Sequence, residues 1–184
     1  MTEITQLLDE LRAGDENARN ELFSAIYPTL QQIARQRLGL QQHTLLDAPA
    51  LVHEAYLRLT QRAGLPPSNR ASFFAYASSV MRNVIIDYVR QRQADKRGGG
   101  VTELTLTTAE PEAPLANADI ESLNSALEAL ARIDARAHGI VEMRFFGGLT
   151  IEEIAEVQQL SVATVKRDWL KARGFLLHTL EGAG

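Results

Sequence analysis

The chain contains no cysteine. That excludes disulfides, thiol catalysis, iron–sulfur clusters and cysteine-built zinc sites, and it fits a reducing, cytoplasmic compartment. Aromatic residues are scarce, 6% of 184 residues with a single tryptophan, so any stacking surface is small. No apolar run approaches the roughly 18 residues needed to cross a bilayer, which argues against a membrane role. The N-terminus, MTEITQLLDELRAGDE, is acidic and lacks the apolar centre of a secretory signal. A basic excess is missing too: 19 Lys and Arg stand against 23 Asp and Glu, a net charge of −4. A purely electrostatic nucleic-acid binder is usually basic overall, so such a role here must come from local patches. What remains, 45% hydrophobic and 23% charged residues, is the balance of a soluble globular protein.

The apolar spacing is helical almost throughout. Ile4, Leu7, Leu8 and Leu11 recur at i, i+3, i+4 and i+7 and predict a short helix ending near Gly14. Leu22, Ile26, Leu30 and Ile33 form a second stripe, and Leu51, Val52, Ala55, Tyr56 and Leu59 a third. Pro66 and Pro67 mark a loop. From Phe73 to Val89 the apolar face is wide enough to predict a mostly buried helix. Gly98, Gly99 and Gly100 end it, since each costs about 1 kcal/mol in a helix interior. Residues 101–119 carry four carboxylates, two prolines and no basic residue. The one period-two stretch, VTELTLTT at 101–108, is short and isolated and is read as linker. The expectation is an all-α protein of two small helical domains, 1–97 and 119–184, joined by a flexible acidic linker at 98–118.

Two segments are basic within this acidic chain. Arg82, Arg90, Arg92, Lys96 and Arg97 stand against Asp87 and Asp95, and Lys166, Arg167, Lys171 and Arg173 against Asp168, each a net of +3. A single charged run is usually a solvated helix face. Two of them in two domains point to a polyanion contacted at two places. Phe73, Phe74, Tyr76 and Tyr88 crowd around the first patch, where aromatics can stack on unpaired bases. Phe73, Phe74 and Tyr88 read as core, leaving Tyr76 as the exposed one.

The stretch LTIEEIAEVQQLSVATVKRDWLKARGFL carries the most information. Thr150 and Glu153 make a capping box. Ile151, Ile154 and Ala155 face inward, and the helix ends near Gln158. Ser161 is placed to cap a second helix whose buried stripe is Val162, Val165, Trp169 and Ala172. Thr164, Lys166, Arg167 and Lys171 lie opposite. Two short helices around a three- to four-residue turn, the second one basic, match the DNA-binding helix-turn-helix. Such turns often place glycine at a left-handed position, here occupied by Gln159 at roughly 1 kcal/mol of strain.

Taken together, ALVHEAYLRL, FFAYASSVMRNVIIDYVRQRQADKRGGG and VEMRFFGGLTIEEIAEVQQLSVATVKRDWLKARGFL resemble the extracytoplasmic-function (ECF) subfamily of sigma-70 family sigma factors, in the family's order of region 2, linker and region 4. The resemblance implies core RNA polymerase and promoter DNA as partners, an anti-sigma factor or a kinase as regulators, no cofactor, and no catalytic residue. It places Asp47, Leu51, Glu54 and Leu57 on the polymerase-binding surface. It places Arg82, Asn83, Asp87 and Arg90 on the helix that reads and melts the minus-ten element, and Tyr76, read above as the exposed aromatic, joins them as a DNA-binding candidate. Ser161, Thr164, Lys166, Arg167 and Lys171 match the helix that reads the minus-thirty-five element. Where many members carry Asp-Ala-Glu-Asp before this surface, this chain has Asp47-Ala48-Pro49-Ala50. Pro49 stands where some relatives have a phosphorylatable threonine, and Thr44 lies nearby.

Enzyme signals are weak. His53-Glu54 begins a zinc-protease HExxH, but the fifth position is Leu57. His43, His53, His138 and His178 share no metal-ligand spacing, and Lys96 to Gly100 lacks the ending of a phosphate loop. The competing reading is a stand-alone helix-turn-helix regulator with an N-terminal sensing or dimerisation domain. A helical adaptor with merely solvated basic faces is the third.

Overall fold

A computed structural model describes residues 2–38, 47–61, 70–95, 104–105, 117–118 and 120–181. Thr44, Pro66, Pro67, Lys96, Arg97, the three glycines at 98–100 and most of the expected linker lie outside the described residues, as do the side chains of Asp47 and Arg92. Among the described residues the fold is eight helices with one two-residue β-ladder.

The N-terminal unit contains α1 (Thr2–Arg12), α2 (Glu16–Leu38), α3 (Asp47–Gln61) and α4 (Arg70–Asp95). α1 stops at Gly14, whose φ of +91° suits a residue without Cβ. The Asp15 carboxylate then accepts from the Asn17 amide at 2.8 Å to open α2. α2 runs through Pro28. That ring removes one helical hydrogen bond, but it sits on the exposed face while Leu22, Ile26 and Leu30 are buried on the other. Leu7 and Leu8 of α1, Val52 and Ala55 of α3, and Met81, Val84, Ile85 and Val89 of α4 complete this part of the core.

The C-terminal unit contains α5 (Ile120–Ile133), α6 (Ala135–Phe145), α7 (Ile151–Gln158) and α8 (Val162–Glu181). Asp134 caps α6 by accepting from the Ala137 amide at 2.9 Å. The predicted capping box is complete: the Thr150 hydroxyl accepts from the Glu153 amide at 3.1 Å, and the Glu153 carboxylate accepts from the Thr150 amide at 2.8 Å. Trp169 is the anchor of this unit. It is 1% exposed, with the Phe145 ring 6.2 Å away and the Arg144 guanidinium 4.9 Å above it, a cation–π contact.

One sequence reading is corrected. Residues 101–108 are not wholly linker: Leu104–Thr105 (β1) pairs antiparallel with Asn117–Ala118 (β2), Leu104 opposite Ala118. The period-two alternation of that stretch was the sequence signal for it. The two helical units meet. α4 packs against α6 and touches α5 and α7, and the buried side chains form one cluster across both.

Candidate nucleic-acid interface

The turn between α7 and α8 sets the direction of the basic helix. Gln159 adopts φ 56° and ψ 40°, the left-handed conformation predicted for it, and its amide donates back to the end of α7. The Ser161 hydroxyl then accepts from the Thr164 amide at 3.1 Å and shares a 2.8 Å hydrogen bond with the Thr164 hydroxyl. Ser161 therefore caps α8, and Thr164 is half-buried beside it. Val165, Trp169, Ala172 and Leu176 are buried, which turns Lys166, Arg167 and Lys171 to solvent. Val162, expected in the buried stripe, is 42% exposed, because the first turn of α8 projects beyond the unit's core. Leu170 joins the exposed basic face and is 58% exposed.

Asp168 counts in the sequence only as a charge within the basic patch. In the structure it is buried, and the Arg136 guanidinium of α6 reaches one of its oxygens at 2.7 Å and 2.8 Å. The spacing was the available signal: Asp168 lies three residues after Val165 and beside Trp169, on the inward face.

On α4, Asn83, Asp87 and Arg90 recur at i, i+4 and i+7 and are all exposed on one stripe. Arg82 lies about 100° from that stripe by helical geometry and turns toward α6. Its Nη1 is 3.2 Å from the Glu142 carboxylate and 3.4 Å from His138 Nε2. Arg90 makes a two-pronged pair with Glu121 of α5, at 2.7 Å and 2.9 Å. Asp87 is held by Arg58 of α3 at 2.8 Å, and the same guanidinium donates to Glu54 at 2.8 Å. These bonds, to Asp87 first and Glu54 second, raise the Arg58 pKa above its ordinary value.

Burial pushes the His138 pKa down, with Arg82 adding to the effect, so the ring is neutral near pH 7. With its proton on Nδ1, Nε2 accepts from Arg82. The 3.6 Å approach of Nε2 to Glu142 is then no ion pair. Burial pushes the Glu142 pKa up, against the opposing pull of Arg82. Glu142 and His138 were not singled out in the sequence. Glu142 does stand out there, as a carboxylate among Ile140, Val141, Met143 and Phe145, where a charge must find a partner.

The residues assigned to polymerase binding divide. Glu54 is exposed and Leu57 half-buried. Leu51 is 3% exposed and packs in the N-terminal core, which corrects its placement on a docking surface: the stripe of α3 that meets α2 and α4 includes it. Asp47 begins α3. Tyr76 is also corrected. It is half-buried, and its hydroxyl donates to the Arg58 carbonyl at 3.3 Å, because α3 lies across that part of α4. Phe73 is buried as expected, while Phe74 and Tyr88 are half-buried against the same core. Among the described residues no cluster of histidine and carboxylate side chains is arranged to hold a metal. None of the described helices is long and apolar enough to cross a membrane.

The described residues are almost wholly helical, and their last two helices, α7 and α8, meet at a tight turn and present a basic outer face, preceded by a helix bearing Arg82 and Arg90. A family model described as ECF sigma factor matches residues 1–182, and the chain belongs to that family. It is 25% identical over 163 residues to the ECF RNA polymerase sigma factor BldN of Streptomyces coelicolor. The match covers 88% of this chain and 60% of BldN, so the chain spans about three-fifths of the length of that relative.

Proposed function

We propose that the chain is an alternative sigma factor that binds core RNA polymerase and directs it to specific promoters. The observation that carries this reading is the α8 face, with Lys166, Arg167 and Lys171 exposed and Trp169 anchored beneath, in a chain matched along residues 1–182 by the ECF sigma factor family. In this reading α8 enters the major groove of the minus-thirty-five element, where side chains near a recognition helix N-terminus reach base edges. The Asn83–Asp87–Arg90 stripe of α4 meets the minus-ten element, and the outer face of α3 around Glu54 meets the polymerase. The transcription chemistry belongs to the polymerase, and this chain supplies position and sequence choice. The units 1–97 and 119–184 carry the two promoter contacts, and an anti-sigma factor is the natural class of regulator.

The test is run-off transcription with core polymerase, no other sigma subunit and genomic promoter fragments. Discrete transcripts that depend on the chain are expected. Tight, specific duplex binding by the isolated chain, without polymerase-dependent transcripts, would instead identify a stand-alone regulator.

A further inference from the structure

Asp87 stands between Asn83 and Arg90 on the α4 stripe assigned to promoter reading, and it is exposed there. A bare carboxylate is a poor group to turn toward DNA, because the phosphates repel it. A second helix supplies the missing cation. Arg58 of α3 brings Nη1 to Asp87 Oδ2 at 2.8 Å, across 29 residues of sequence. Its Nε donates to Glu54 Oε1, one turn back on α3, also at 2.8 Å. The guanidinium is a rigid plane, so the bond to Glu54 on one edge fixes the direction from which the other edge meets Asp87. The backbone beneath is held too, since the Tyr76 hydroxyl of α4 donates to the Arg58 carbonyl at 3.3 Å.

We propose that Arg58 is a positioning residue for promoter reading: it offsets the charge of Asp87 and aims that carboxylate at the amino group of an unpaired base. This inference rests on the reading of α4 given under Proposed function.

Arg58 occupies Asp87 Oδ2, and among the described residues no other side chain bonds to Asp87. Oδ1 therefore remains an acceptor. An ionised carboxylate can only accept, and the matching donors on bases are amino groups, as when Asp takes cytosine N4. Thymine carries no amino group and is the base that such a contact rejects. The exposure of the cluster argues against a purely structural role. The Arg58, Glu54 and Asp87 side chains are 36%, 48% and 52% exposed, and pairs so open to water add little to folding. All three residues lie on α3 and α4, so the arrangement belongs to the N-terminal unit alone.

The experiment uses holoenzyme assembled from core polymerase and the full chain. The probe is a promoter fragment found by run-off transcription and randomised across its minus-ten element. Sequencing the transcribed fraction gives the base preference at each position. That preference is a ratio between sequences within one holoenzyme, so it does not depend on how much holoenzyme forms. Asp87→Ala is expected to lose about fivefold of the preference for amino-bearing bases over thymine at one position, the low end for a base contact. Arg58→Ala is expected to lose it at the same position. The double variant should lose no more than Asp87→Ala, since both act through one contact. Arg58→Lys keeps a cation beside Asp87 and is expected to recover most of the preference. Arg12→Ala breaks a comparably exposed pair with Asp9 on α1 and controls for the loss of one positive charge. Should Arg58→Ala lose helix content, Arg58→Met, which keeps the aliphatic stem, decides.

Loss at one shared position in the Arg58 and Asp87 alanine variants, with recovery in Arg58→Lys, supports the proposal. Loss in Asp87→Ala but not in Arg58→Ala overturns the positioning role and leaves the reading of α4 intact. Weakening of all sequences alike in Arg58→Ala also overturns it, because a phosphate contact acts in that way. An Asp87→Ala variant with the parent's preferences overturns it and removes Asp87 from base reading. A parent without preference anywhere in the element overturns the reading of α4 itself, and this inference with it.

Discussion

The Asp168 carboxylate, 1% exposed on the basic helix α8, receives the Arg136 guanidinium of α6 at 2.7 Å. This bond ties the presented helix to the helix beneath it and fixes the rotation that turns Lys166, Arg167 and Lys171 outward. Removing Arg136 leaves the buried carboxylate with the longer 3.8 Å approach of Arg167, and breaking a fully buried pair costs about 3–5 kcal/mol. Arg136 is half exposed, so Arg136→Ala is expected to cost about 2 kcal/mol after allowance for solvent screening. Chemical denaturation of the full chain measures this. Asp168→Asn in the Arg136→Ala background should recover part of the loss. No loss in the single variant would show that water satisfies Asp168 unaided.

Lys166 and Arg167 project exposed from the start of α8, with Arg167 Nε 3.8 Å from the Asp168 carboxylate. Replacing both with alanine should change the thermal midpoint little. If they read bases, their removal weakens the promoter complex by about 1–3 kcal/mol and relaxes specificity at the position read. If they bind phosphates, their removal weakens all sequences alike and lowers the salt slope by about one for each phosphate. Unchanged promoter binding by the double variant would remove α8 from the interface.

Gln159 occupies the left-handed region at φ 56°, a conformation that costs most L-residues about 1–2 kcal/mol. Gln159→Gly relieves that strain but gains unfolded-state freedom of about 0.5–1 kcal/mol. The net expectation is a small rise in stability. Gln159→Val, with a β-branched side chain, should fall well below the parent. Equal midpoints for the glycine and valine variants would contradict the strain argument.

Acid should weaken the packing of α4 on α6 around His138. Its pKa is lowered in the folded structure, by burial first and Arg82 second. The corresponding stability is present above the ordinary histidine value of 6.5 and is lost as pH falls through the depressed one. Glu142 acts in the opposite sense. Its pKa is raised, so its contribution is present below the ordinary value of 4.5 and lost as pH rises through the raised one. The two contributions oppose each other, so the histidine's share is read as the difference between parent and His138→Gln. Relative to that variant the parent is expected to lose stability as pH is lowered from neutral. Parallel pH profiles for parent and variant would mean that His138 does not titrate in the folded chain.

Pro49 and Ala50 lie exposed in the first turn of α3. Restoring acidity there, with Pro49→Glu and Ala50→Asp, adds two exposed charges worth about 0–1 kcal/mol each against a basic partner surface. Tighter binding of core polymerase, most evident at low salt, is expected in direct competition with the parent chain. Equal binding would indicate docking through other parts of α3.

The helices, both capping devices around α7 and α8, and the left-handed turn at Gln159 were legible in the amino-acid order. Each depends on spacing within a few residues: a 3.6-residue apolar period, a hydroxyl three positions before a carboxylate, a break between two stripes. The exposed basic face of α8 followed from the same periodicity, as the side opposite Val165 and Trp169. Tertiary structure alone decided how the charges pair. Asp87 is held by Arg58, Asp168 by Arg136, Arg90 by Glu121 and Arg82 by Glu142, and each pair joins two different helices. A helix period says which way a side chain points from its own axis, and carries nothing about the charge that another helix brings to meet it. Leu51 and Tyr76 show the same limit. The sequence placed them on the right helices, and only the packing of α3 across α4 made one core and the other half-buried.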